Sequence, residues 1–188
     1  GFCSHVKNKW LPVVNQLEIK IKGVLRRNQS KELDPCVSNT VFFNDAGDFF
    51  NFCDKDVLYI ICTPPDSHFF YCDEVLGRGW DCLIEKPCFL SYSAYLRIRD
   101  LVSTPGFPGL LIDGYMYAHT AAYEKLESLF IGSLVNTSLR FGFTIPRRPD
   151  SGFSNSLPIR QFVEEDMLCY AFDLLYRLDP LIDDSKIE

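Results

Sequence analysis

The chain has 188 residues, and its 25 acidic against 19 basic side chains give a net charge of −6. At 47% hydrophobic and 14% aromatic residues it can bury a sizeable core, which excludes global disorder. The acidic balance, with no basic stripe interleaved with aromatics, argues against nucleic acid or an anionic membrane as partner.

No apolar run approaches the roughly 18 residues of a membrane span, and residues 1–7 lack the apolar region of a signal peptide. Eight cysteines, at 3, 36, 53, 62, 72, 82, 88 and 169, include no C-x-x-C pair. No metal site is therefore expected. Several fall within apolar runs and read as small buried hydrophobes, reduced thiols of a cytoplasmic protein.

In chain order, "GFCSHVKNKWLP" fits a tight turn into a helix starting at residue 1. Gly1 is followed by Cys3 and Val6, where a G-x-G-x-x-G phosphate loop has glycines. The strand expected before that helix, the central one of such a sheet, is not in the chain. Strands are predicted at 19–25, 57–62, 80–85 and 109–113. "VLYIIC" is the continuous β-rich run of a strand buried on both faces. Helices are predicted at 67–77, with Asp66 as N-cap, and at 92–102, with Ser91 as N-cap. The βαβαβ alternation predicts an open parallel sheet with helices on both faces. Ligands of such sheets bind at the carboxyl ends of the strands.

After residue 114 the texture changes. A helix (119–130), a strand (134–145), a Pro/Ser/Gly-rich loop (147–158) and a long helix (161–178) read as the opening of an α+β second domain. The predicted boundaries are 1–113 and 114–188.

Three stretches offer chemistry. Thr63-Pro64-Pro65-Asp66-Ser67-His68 leaves a buried strand and enters a helix whose free N–H groups suit an anion. Its bland counterpart is a rigid turn. In "LIEKP", Pro87 restricts Lys86 to extended backbone, and Glu85 points to the opposite face of the strand. A lysine fixed there can polarise a hydroxyl or carbonyl and stabilise developing negative charge. Asp166, Tyr170 and Asp173 share one face of the long helix. A phenol beside a cation and a carboxylate makes a general acid–base set; the bland counterpart is an amphipathic helix with solvated acids.

Taken together, "GFCSHVKNKWLPVV", "VLYIICTPPDSH", "LIEKP" and "DMLCYAFDLL" resemble, in order along nearly the whole chain, the glucose–fructose oxidoreductase/inositol dehydrogenase (Gfo/Idh/MocA) family. The resemblance implies a Rossmann-type doubly wound parallel sheet, its first strand outside this chain, followed by part of a substrate and oligomerisation domain. It implies a nicotinamide-dependent oxidoreductase acting on a sugar or cyclic polyol. By it, Lys86, Asp166 and Tyr170 are the catalytic and substrate-binding residues. Gly1, Cys3, Ser4, His5, Thr63, Pro64, Pro65, His68, Glu85 and Lys86 line the cofactor cleft. Arg26 and Arg27 follow the second strand, where the dinucleotide fold recognises the ribose; two arginines and no acid tilt the expectation toward NADP over NAD. The implied partners are a small sugar-like substrate and, in the full-length protein, a second copy of the chain. The alternative is a catalytically silent nucleotide-binding or structural member of the same fold, motivated by Cys3 and Val6 at glycine positions.

Overall fold

The computed structural model describes residues 3–26, 37, 40–130 and 168–178. Gly1, Arg27, Asp166, the predicted strand 134–145, the loop 147–158 and the first turns of the helix at 161–178 lie outside them. The chain divides into two compact units, Gly1–Asp113 and Gly114–Glu188.

The first unit begins with helix. Residues 4 and 5 are helical, Val6–Trp10 form a π-turn, and α1 (Leu11–Gln16) follows with Pro12 in its first turn, where the missing N–H costs nothing. Leu11 and Val14 are its buried residues. β1 (Gly23–Leu25) pairs in parallel with β2 (Val41–Phe43). α2 (Ala46–Phe52) is capped by Asp45, whose side chain accepts from the Asp48 N–H. β3 (Tyr59–Ile61), β4 (Cys82–Glu85) and β5 (Leu111–Gly114) form a second sheet in that order, with β3 and β4 parallel and Ile61 opposite Ile84. α3 (His68–Gly77) and α4 (Tyr92–Val102) connect them. Parallel strands joined through helices are the Rossmann-like arrangement expected.

The core lies where these layers meet. Cys72, Val75 and Leu76 of α3 pack with Cys82 and Ile84 of β4, Tyr59 and Ile61 of β3 and Ile98 of α4. Cys72 and Cys82 have no exposed surface and their sulfurs stand 3.9 Å apart, so these thiols pack as hydrophobes. Cys3 differs: it is exposed. An apolar cavity of about 490 Å³ lies among α1, β1 and β3, lined in part by Val14, Leu17, Val24, Tyr59 and Ile61. Gly79 turns the chain between α3 and β4 at φ +72°, and an added Cβ would stand 2.6 Å from Pro108 Cγ.

The structure adjusts several sequence expectations. The strand expected over 19–25 is confined to Gly23–Leu25. Lys20 and Lys22, ahead of it, are exposed, and the Lys22 ammonium pairs with Asp54 at 2.8 Å. Asp66 is not the cap of α3. Pro65–Ser67 make a short 3₁₀ turn first, and Ser67 occupies the cap without a side-chain capping bond, its hydroxyl donating to the Pro64 carbonyl instead. β2 and α2 had no counterpart in the sequence reading. Ser91 does cap α4, accepting from the Ala94 N–H.

The second unit, among its described residues, contains a 3₁₀ turn (Met116–His119), α5 (Ala121–Phe130) and α6 (Leu168–Leu178). No helix among the described residues is long and apolar enough to cross a membrane.

Candidate active site

β3 and β4 run in register and leave the sheet at the same end. Thr63 lies two residues beyond Ile61 and Lys86 two beyond Ile84, so both stand at the carboxyl edge. His68 ties the two exits together. It is 1% exposed, with Nδ1 2.9 Å from the Pro87 carbonyl and Nε2 2.8 Å from the Thr63 carbonyl. At least one ring N–H donates to a carbonyl. His68, expected to face a cofactor, thus has both ring nitrogens engaged by backbone.

The helix start is drawn to the same edge. The first helical bond runs from Lys7 N–H to the Cys3 carbonyl. By helix geometry the N–H groups just ahead of it have no intrahelical acceptor. Cys3 Sγ lies 3.8 Å from the Cys62 carbonyl, so its side chain turns toward the end of β3. His5 Nε2 and Trp10 Nε1 both meet Glu85 Oε1, at 2.9 and 2.8 Å. Glu85 is 8% exposed. Its burial pushes the carboxyl pKa up, but the bonds from His5 and Trp10 outweigh that and hold it below the usual glutamate range. Lys86, the next residue along the chain, is partly exposed.

One polar atom here is unsatisfied. Thr63 Oγ1 is buried without a hydrogen-bond partner among the described residues. Such a group carries a desolvation cost until something donates to it or accepts from it. Pro64 and Pro65, next in line, offer carbonyls but no N–H. A hydroxyl without a partner among the described residues, near the helix start and a lysine, suits a polar ligand. Among the described residues no His, Cys, Asp and Glu cluster could hold a metal ion.

Arg26 leaves β1 with its N–H bonded to the Phe43 carbonyl (2.9 Å) and its guanidinium 4.3 Å from the centre of the Phe42 ring. The stack fixes the direction of the guanidinium. Its sequence neighbour Arg27 lies outside the described residues.

Tyr170 belongs to the second unit, on α6. It is 6% exposed, with Tyr117 edge-on at 4.9 Å and Tyr115 at 6.1 Å, and its carbonyl accepts from the Tyr123 hydroxyl at 3.0 Å. Burial first, then nearby Asp173, raises the Tyr123 pKa. Asp173, expected on the Tyr170 face, is taken by Arg177: both carboxylate oxygens stand 3.0 Å from Arg177 Nε. Asp166 lies outside the described residues. Sequence reasoning missed Trp10 as a site residue, and no local signal marks it, because its partner Glu85 is 75 residues away.

No protein-family model matches the chain. The chain is 27% identical over 155 residues to the uncharacterized oxidoreductase YhhX of Escherichia coli (strain K12); the match covers 78% of this chain and 44% of the relative. The chain therefore spans less than half the length of the curated relative it matches. The crystal structure of a probable oxidoreductase yhhX superposes with TM-score 0.67 at 22% identity, over 95% of this chain and 52% of that one. The WlbA (WbpB) dehydrogenase from Thermus thermophilus, in complex with NAD and UDP-GlcNAcA, gives TM-score 0.70 at 14% identity, over 95% and 61%. The myo-inositol 2-dehydrogenase from Lactobacillus plantarum gives TM-score 0.50 at 15% identity, over 59% and 33%.

Proposed function

From a chain whose relatives support a Gfo/Idh/MocA-like oxidoreductase family, we infer an NAD(P)-dependent oxidoreductase, moving hydride between nicotinamide and a carbinol or keto carbon of a sugar or cyclic polyol. The observation that carries the reading is the gathering of helix start, Thr63 and Lys86 at one carboxyl edge of β3 and β4, with Thr63 Oγ1 buried and unsatisfied. Parallel α/β sheets bind dinucleotides at this edge.

The cofactor supplies the hydride chemistry when bound; the protein supplies position and charge. The N–H groups at Ser4 and His5 hold the pyrophosphate. Thr63 directs its hydroxyl to the ligand, and Pro64 and Pro65 keep that turn stiff. Gly1 and Cys3 complete the loop at the helix start. In this proposal Lys86 hydrogen-bonds the reacting oxygen and stabilises negative charge on it. Tyr170 exchanges the hydroxyl proton, and Asp166 orients the substrate. The first unit holds the dinucleotide and the second contributes to substrate binding. Arg26 and Arg27 favour the 2′-phosphate of NADP. The UDP-GlcNAcA in the complex of the Thermus protein supports a sugar-type substrate, free or nucleotide-linked.

The test is a spectrophotometric screen at the nicotinamide band, over sugars, polyols and nucleotide sugars with both dinucleotides. The expected result is turnover of one such class that Lys86→Ala lowers by about a hundredfold or more. Wild-type turnover in Lys86→Ala would overturn the assignment of the lysine. Binding of dinucleotide with no turnover of any class would favour the silent reading.

A further inference from the structure

Glu85 ends β4, and a strand end that emerges at a ligand-binding edge ordinarily turns its carboxylate to water. Here the side chain is buried, and a single oxygen, Oε1, is shared by His5 Nε2 at 2.9 Å and Trp10 Nε1 at 2.8 Å. These two donors sit five residues apart along the N-terminal helical segment, His5 in its first turn and Trp10 at the end of the π-turn. The carboxylate therefore grips two points of that segment. Trp10 is half-buried and its indole N–H has one fixed direction, so it fixes an orientation as well as a distance. The next residue after Glu85 is Lys86, and His68 Nδ1 lies 2.9 Å from the Pro87 carbonyl.

We propose that Glu85 is a positioning residue, fastening the start of the N-terminal helix to the end of β4 through His5 and Trp10 so that the helix amides and the Lys86 backbone are set as one piece. The proposal rests on the reading above, in which a dinucleotide sits at this edge, and it assigns Trp10 to the site. Glu85 then acts on the ligand through its neighbours, as outer partners orient groups that touch a ligand. The bonds need an acceptor oxygen at that point. A glutamine keeps the acceptor and an alanine removes it.

The experiment compares the full chain with Glu85→Ala, Glu85→Gln and Trp10→Phe by two readouts: NADPH affinity from nicotinamide fluorescence, and hydrogen exchange at the amides of residues 7–14 and 85–86. Glu85→Ala is expected to weaken NADPH by about tenfold and to speed exchange at both segments by a similar factor. Glu85→Gln recovers most of both, to within about threefold of wild type, and Trp10→Phe falls between. If Ala and Gln variants behave alike, whether both intact or both impaired, the clamp is overturned. Should Glu85→Ala not fold, Trp10→Phe decides: wild-type affinity and exchange would overturn the clamp. If wild type binds neither NADPH nor NADH, the dinucleotide reading fails by itself. Exchange then still judges the clamp: faster exchange in Ala than in Gln supports it, and equal exchange overturns it.

Discussion

At the scale of single residues, the site is a set of short hydrogen bonds that bring distant parts of the chain to one edge. Glu85 joins residues 75 and 80 positions away. Its lowered carboxyl pKa makes a stability statement. A carboxyl held low in the folded state stabilises the fold at any pH above the ordinary glutamate range, and that contribution is lost as pH falls through the lowered value. Acid unfolding of wild type should therefore include a loss that Glu85→Gln lacks, read by thermal melts stepped from neutral pH down through the carboxylate range. Arg26 gives a second prediction. Its guanidinium is directed by the Phe42 ring, and if it meets a 2′-phosphate, Arg26→Ala should weaken NADPH about tenfold while sparing NADH. Equal loss for both dinucleotides would remove Arg26 from cofactor choice.

At the scale of elements, the loops leaving β3 and β4 are coupled by His68. Replacing it with alanine removes two buried contacts and leaves a cavity, an expected cost of about 3 kcal/mol. Denaturant unfolding measures it, and a cost below about 1 kcal/mol would show that the loops are held by other means. Much at this scale was legible in the sequence. The apolar runs of β3 and β4 and the Ser91 cap of α4 are local signals, and the structure repeats them. β2 was not legible, because a three-residue strand is too short to show a period. α2 carries a local signal, Asp45 three residues ahead of Asp48 and an aromatic run. The prolines after Thr63 and Lys86 mark the ends of β3 and β4 in the sequence. Trp10 was not, since nothing near it in sequence names its partner.

At the scale of the whole molecule, the first unit is a layered α/β body whose buried core includes the strands that end at the site. Ile84 has no exposed surface and sits between α3, β3 and α4 in that core. Ile84→Ala should cost about 3 kcal/mol, and because Glu85 and Lys86 follow directly, dinucleotide affinity should fall with it. The similarity to dehydrogenases such as the Thermus protein gives this fold a context, and the residues at the edge of β3 and β4 give it chemistry. The central claim is that this edge binds a nicotinamide dinucleotide. Titrating the protein with NADPH and with NADH while following nicotinamide fluorescence tests it most directly. Saturable binding of at least one, weakened in Glu85→Ala, is the result expected; no binding of either by the folded wild-type protein would contradict it.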